Sequence, residues 1–209
     1  MADDLVFYTN PMSRGRIARW MLEEIGAPYE TVLLDYGTTM KAEPYLSVNP
    51  MGKVPAIVHR GHVVTECAAI CAYLAEAFPE AGLAPSADER ADYYRWMFYA
   101  AGPVEAAITN RSLGVTPTED QRRMVGYDSY DTMVDVLERA VSAHRYIAGD
   151  RFTAADVYVG SQVLWGLMFG SLPKRDAFAA YGDRVSARDA YRRASEIDDA
   201  LMPKPDAGG

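Results

Sequence analysis

The sequence predicts an α/β domain followed by an all-helical domain. Strand and helix patterns alternate over the first eighty residues; after a stretch rich in Pro, Gly and Ala, "PEAGLAPSA" at 79–87, the strand pattern vanishes and helix-opening signals recur. A chain of 209 residues can bury a substantial core, and 49% hydrophobic with 24% charged content is ordinary for a globular protein. The boundaries expected are 1–80 for the α/β domain, 81–87 for the linker and 88–209 for the helical domain.

"DLVFYT" has the branched and aromatic content of a strand, after which Ile17, Trp20, Met21 and Ile25 recur at helical spacing up to Gly26, a C-terminal stop. "YETVLLD" reads as a second strand. A short helix is expected around Met40 to Leu46, and "NPMG" at 49–52 breaks the chain. "VPAIVHRGHVVTE" forms a hairpin turning near Gly61, and Ala68, Ile70, Cys71, Leu74, Ala75 and Phe78 define a helix ending before "FPEAG". Beyond the linker, Ser86 and Glu89 form a capping box opening a long helix, Thr118 and Gln121 predict another start, and Thr153 with Asp156 a third. The apolar window "VYVGSQVLWGLMFGSL" at 157–172 is interrupted by Gly160, Ser161, Gln162 and Gly166. It falls short of the ~20 residues of a membrane span and reads as a buried core helix. The tail "PKPDAGG" is expected to fray.

Charge and cysteine usage narrow the function. With 21 basic against 29 acidic residues the formal charge is -8, which argues against nonspecific nucleic-acid binding. "MADDLVF" lacks a charged-then-apolar leader, so no signal peptide is expected. Cys67 and Cys71 lie four apart on one helix, a spacing that suits neither a disulfide scaffold nor a Cys-x-x-Cys pair, and points to a reducing cytoplasm. His59, His62 and His144 form no metal set: the first two share a hairpin, and no Cys or carboxylate spacing joins them.

Three local patterns carry chemistry. "NPMSRGRIARW" runs from a strand into a helix whose first turns hold Ser13, Arg14, Arg16 and Arg19; arginines oppose the positive end of the helix dipole, so their crowding asks for an anion. Taken locally, Ser13 is equally a helix cap, and Arg19 reads as part of a solvated face. Pro55 heads an apolar strand although it cannot donate to a ladder, which marks backbone left free to pair with something else; a cis Val54–Pro55 bond would achieve this. Glu66 and Cys67 stand where a strand hands over to a helix, so the N–H groups there suit a carboxylate. Cys67 itself is better read as a small buried hydrophobe than as a reactive thiol.

The order and spacing of "FYTNPMSRGRIARWMLEE", "VPAIV", "TECAAICAYL", "AGDRFTAADVYVG" and "FAAYGDRVSARDAYRRA" resemble the cytosolic glutathione transferase family, of a bacterial type with a serine at the helix start. The resemblance implies a thioredoxin-like N-terminal domain joined to an all-α helical bundle, with glutathione as co-substrate, no metal, and a cytoplasmic homodimer with neither nucleic-acid nor membrane partners. By position, it implies that the Val54 backbone pairs with the cysteinyl unit of glutathione ahead of Pro55, while Lys53 and Lys41 neutralise the glycine carboxylate. Glu66 takes the γ-glutamyl ammonium, and the Cys67 N–H and side chain meet the γ-glutamyl carboxylate, where many relatives carry Ser. The thiol activator is Ser13, aided by Arg16, with Tyr8 and Asn10 as the other candidates; Tyr8 stands further upstream than the tyrosine-type pattern. Met12, Tyr99 and Trp165, backed by Phe98 and Phe169, would receive an apolar electrophile. The chemical requirement is definite: a free thiol has a pKa of roughly 8.5, and lowering it by about two units needs ~2.7 kcal/mol of anion stabilisation. The resemblance also admits a non-catalytic ligand-binding protein of the same fold and a glutathione-dependent disulfide reductase. Thr153 and Asp156 are structural on this reading.

Overall fold

The computed structural model describes residues 4–202, so the terminal "PKPDAGG" lies outside the described residues. Two compact units emerge. The first comprises residues 4–81 and 188–202, and the second residues 82–187.

The first unit is a four-stranded mixed sheet, ordered β2-β1-β3-β4, with β1 at Leu5–Thr9, β2 at Glu30–Leu33, β3 at Ala56–His59 and β4 at His62–Thr65. β1 and β2 are parallel and joined by helix α1, Gly15–Ile25; β3 runs antiparallel to β1 with Tyr8 opposite Ala56, and β4 returns from the hairpin with Thr65 opposite Ala56. Arg60 and Gly61 both have positive φ in that two-residue turn, as a tight hairpin of this twist requires. Helix α3, Cys67–Ala77, follows β4 directly. Alternation along β1 sends Phe7 to one face, beside Arg19 of α1, and Tyr8 to the other, where it packs against Tyr45 at 5.4 Å between ring centroids.

The helix expected over Met40 to Leu46 is instead two pieces, a 3₁₀ turn at Thr39–Lys41 and a short α2 at Tyr45–Val48. Pro44 accounts for the break: it donates no N–H and disfavours helical backbone in the residue before it.

Helix α1 buries Ile17, Ala18, Arg19, Trp20, Met21, Leu22 and Ile25, because α3 packs on one flank and a distant helix, α9 at Asp189–Ala200, on another. The sequence pattern placed everything from residue 88 onward in the helical domain, but α9 groups with the α/β unit. Side-chain chemistry explains this: Arg188 makes a bidentate pair with Glu24 at 2.6 Å to each oxygen, Arg193 reaches Glu23, and Trp20 meets Tyr191 edge-on. Arg19 corrects a second expectation. It is not a solvated side chain but is 1% exposed, held by Asp198 of α9 at 3.1 Å and by the Tyr29 and Thr31 hydroxyls, with its guanidinium over the Phe7 ring. Partners supplied from 179 residues away are invisible to local pattern.

The second unit is helical. The Ser86–Glu89 capping box forms reciprocally and precedes α4, Arg90–Tyr99, which continues through a π-helical segment, Ala100–Val104, into α5, Glu105–Ser112. The segment contains Pro103, whose missing N–H accounts for the local loss of α-type bonding. Thr118 and Gln121 do pair, yet they open only a 3₁₀ turn, Gln121–Arg123. The exposed "QRRM" offers no apolar face to bury, so the next helix, α6 at Tyr130–Ala143, starts at Ser129, whose hydroxyl accepts from the Thr132 N–H. Helix α7, Ala154–Phe169, is the buried core helix expected, opened by the Thr153–Asp156 capping box and closed by Gly170 at φ 70. Helix α8, Asp176–Ser186, packs against it. Among the described residues no helix is long and apolar enough to cross a membrane.

Candidate functional site

Sheet register brings three segments to one corner of the first unit. Because Tyr8 faces Ala56 and Ala56 faces Thr65, the chain just after β1 (residues 10–14), just before β3 (53–55) and just after β4 (66–67) lie side by side. A bond from the Cys67 thiol to the Arg14 carbonyl, at 3.4 Å, ties the last of these to the first. The N-termini of α1 and α3, each a helix of eleven residues, therefore converge, and their aligned peptide dipoles make the corner electropositive.

Asn10 organises the loop after β1. Its buried amide donates to the Leu34 carbonyl at 2.8 Å and accepts from the Met12 N–H at 2.9 Å, while its own carbonyl receives the Ser13 N–H. The half-buried Ser13 hydroxyl donates to that same carbonyl at 2.6 Å and accepts from the Gly15 N–H at 2.9 Å. Ser13 thus caps α1, and its donor faces a neutral carbonyl that a stronger acceptor can replace. Arg16 points back over the loop: its Nε donates to the Pro11 carbonyl at 2.8 Å, and its guanidinium pairs with Asp199 of α9.

Gly15 permits this crowding. A Cβ there would lie 1.9 Å from the buried Thr9 Oγ1 and 2.9 Å from the Ser13 Oγ. Gly15→Ala is expected to cost about 1–3 kcal/mol and to displace Ser13, lowering the thermal midpoint in a simple melting experiment; an unchanged midpoint would contradict the packing described.

Before β3, the Lys53 carbonyl accepts from the Tyr45 hydroxyl and, at 2.8 Å, from the Asn49 amide. These two anchors fix the peptide plane leading into Val54, which lies outside the ladder beginning at Ala56, and the Val54–Pro55 bond is cis, as expected. Tyr45 and Asn49 are positioning residues that sequence reasoning missed; the only hint was Asn49 in the "NPMG" break. Lys41 lies over the same turn, its ammonium donating to the Met51 carbonyl at 2.9 Å, while the Lys53 side chain is exposed. Gly52 at φ 55 allows the approach, since a Cβ there would meet the Met40 carbonyl at 2.7 Å.

Glu66 is exposed and has φ 67 and ψ 119, a conformation that costs a residue with a Cβ about 1–3 kcal/mol. Its carbonyl accepts from Ile70, so the first turn of α3 holds it there. Cys67 is buried, with its thiol directed at α1, and Cys71 one turn later is fully buried, its thiol pushed well up by desolvation.

The remaining candidates fall as follows. Tyr8 stands on the α2 face of the sheet against Tyr45. Met12 is exposed in the loop before Ser13. Tyr99 and Trp165 are half-buried in the second unit, where the Tyr99 hydroxyl donates to the Met133 carbonyl and desolvation pushes its pKa up to about 12; Phe98 and Phe169 are exposed.

Known proteins resemble this chain in sequence and in architecture. The family described as Glutathione S-transferase, N-terminal domain, matches residues 4–76. Glutathione S-transferase GST-4.5 of Xanthomonas campestris is 30% identical over 183 residues, spanning 82% of this chain and 89% of that protein. The GstA glutathione S-transferase of Escherichia coli is 27% identical, spanning 86% and 89% respectively. Among solved structures, a glutathione transferase from Methylococcus capsulatus superposes with a TM-score of 0.75 at 26% identity, covering 94% of this chain and 99% of that one. A sphingomonad glutathione S-transferase solved with glutathione gives 0.75 at 24% identity, covering 93% and 98%, a likeness of fold.

Proposed function

The chain belongs to the glutathione S-transferase family, and on that premise we propose that the corner where α1 and α3 begin binds glutathione and holds its thiol as thiolate for attack on a small apolar electrophile. The observation that carries the reading is the convergence of two helix N-termini around Lys53–Val54, whose backbone lies beyond the ladder. An extended peptide is recognised by backbone pairing, and its negative ends by N–H groups and cations.

The cysteinyl backbone pairs with Val54 beside Pro55, Lys41 and Lys53 neutralise the glycine carboxylate, Glu66 takes the γ-glutamyl ammonium, and the Cys67 N–H takes the γ-glutamyl carboxylate. A thiol is a weak hydrogen-bond group, so the Cys67 side chain adds little beyond packing. Ser13 donates to the thiolate once its proton turns from the Asn10 carbonyl. Arg16 adds positive charge at the same loop, and Met12 offers apolar contact to the second substrate. Asn10 acts by positioning Ser13, because both ends of its amide are engaged. Tyr8, on the opposite face, supports Tyr45 rather than the thiol. The reaction forms a carbon–sulfur bond as the leaving group departs with its electron pair, and uses a reduced thiol throughout, which suits a cytoplasmic setting. A homodimer is part of the proposal, supported by exposed Met51 and by exposed Val63 on edge strand β4.

Calorimetric titration with reduced glutathione tests the assignment, with Glu66→Ala as control. Alanine also carries a Cβ, so the backbone strain at position 66 is retained and the comparison isolates the carboxylate. Saturable binding, weakened at least tenfold in the variant, is the expected result. Absence of binding at millimolar ligand would overturn the assignment and favour a ligand-binding protein of the same fold.

A further inference from the structure

We propose that α9 acts as a clamp on the thiol-activating loop, with Asp199 as a positioning residue that works through Arg16. The two neighbouring aspartates of α9 meet α1 in different ways. Asp198 is buried against buried Arg19, a contact that serves cohesion of the unit. Asp199 is exposed, with 66% of its side chain accessible, and pairs with Arg16, whose Nε reaches the Pro11 carbonyl at 2.8 Å. The connection runs from the last turn of α9, through one guanidinium, to the peptide two residues before Ser13.

The geometry explains why an exposed ion pair would matter. Surface pairs contribute little to global stability. The guanidinium, however, is a planar fork whose orientation is fixed when two of its edges are engaged. With Asp199 in place, Nε is aimed at Pro11; without it, the side chain is free to leave the loop. The 10–13 segment would then be held chiefly by Asn10, which accepts from the Met12 and Ser13 N–H groups and from the Ser13 hydroxyl, with the Tyr36 hydroxyl on the Met12 carbonyl and the contacts of Ser13 with α1 as its other ties. Removal of Asp199 should loosen the loop without loosening the fold.

The catalytic readout of this clamp rests on the functional reading above, whereas its structural readout does not. The experiment is therefore amide hydrogen exchange across residues 10–15 in the unliganded full-length protein, combined with glutathione-dependent turnover of an aryl halide. In Asp199→Asn, exchange at the Met12 and Ser13 amides should rise about tenfold while the melting midpoint stays within about 2 °C. kcat should fall about fivefold with KM little changed, and Asp199→Glu should recover most of the loss. On an Arg16→Ala background, adding Asp199→Asn should change neither exchange nor kcat further. Unaltered exchange in Asp199→Asn, or an effect that adds in full to that of Arg16→Ala, would overturn the proposal. If the wild-type protein shows no turnover, the functional reading has failed and the exchange data alone decide the clamp.

Discussion

Asp156→Ala is expected to lower the unfolding free energy by about 3 kcal/mol or more and the melting midpoint by about 10 °C. The Asp156 carboxylate sits at the third position of α7 in full burial and is addressed by four donors: the Ile147 N–H at 2.7 Å, the Thr153 N–H at 2.9 Å, the Thr153 hydroxyl at 3.1 Å and the Tyr181 hydroxyl at 2.9 Å. Alanine would leave those donors stranded in the core of the second unit, where each lost partner costs about 1–3 kcal/mol, offset in part by relief from burying a charge. That offset sets a pH signature. Desolvation raises the Asp156 pKa from 3.8 to about 6, against the pull of the donors. The native state therefore binds this proton more tightly than the unfolded chain between pH about 4 and 6, and the stability it contributes is gained as pH falls through 6. The variant lacks the group, so the gap between wild type and variant should widen by about 1 kcal/mol between pH 7 and pH 5. Denaturant titrations at the two pH values measure this; a gap that narrows on acidification would refute the account.

The same residue shows what was legible in the sequence. Thr153 and Asp156 announce a helix start because a capping box is local chemistry, complete within four residues. Tyr181 and Ile147, which make the carboxylate a hub for the unit, are not local and leave no trace in the pattern. The contrast recurs at α1. Its length and its Gly26 stop follow from spacing and from the left-handed backbone that glycine adopts at φ 67, so both were readable. The burial of Arg19 and Trp20 from a second side was not, since it depends on α9. At the candidate site the local signals were a proline at a strand head, Pro55, which cannot join the ladder, and arginines crowding the helix start beside Ser13, which oppose the dipole; Glu66 was marked by its place where a strand hands over to a helix. Tyr45 and Asn49 carry no such signal, and only the fold reveals that they hold the Lys53 carbonyl. The Thr118–Gln121 pair shows the converse. A cap signal without an apolar face behind it yields one turn and no helix, because the first turn is unfavourable until burial rewards it.

Ser13→Ala should raise the pKa of the bound glutathione thiol by about one unit and reduce kcat/KM about fivefold near pH 6.5 and about tenfold at lower pH, with the deficit closing by about pH 9. Before ligand binds, the hydroxyl proton rests on the Asn10 carbonyl, a neutral acceptor. A thiolate at the α1 N-terminus is a charged acceptor, and a hydrogen bond to it is roughly twice as strong, so the proton turns toward sulfur for a net gain of about 1–1.5 kcal/mol. The Gly15 N–H continues to hold the oxygen while the proton moves, which keeps the donor in place. The remainder of the pKa depression falls to the helix dipole, which alanine leaves intact. A serine that served only as a cap would behave differently: its loss would cost about 1 kcal/mol of stability and reduce activity by one factor at every pH. The pH profile of kcat/KM, read beside the ultraviolet absorbance of the bound thiolate, separates the two. Ser13→Thr, which retains the hydroxyl, should keep the wild-type profile, whereas a deficit in Ser13→Ala that persists unchanged at high pH would remove the hydroxyl from the chemistry and leave the dipole and Arg16 to hold the thiolate.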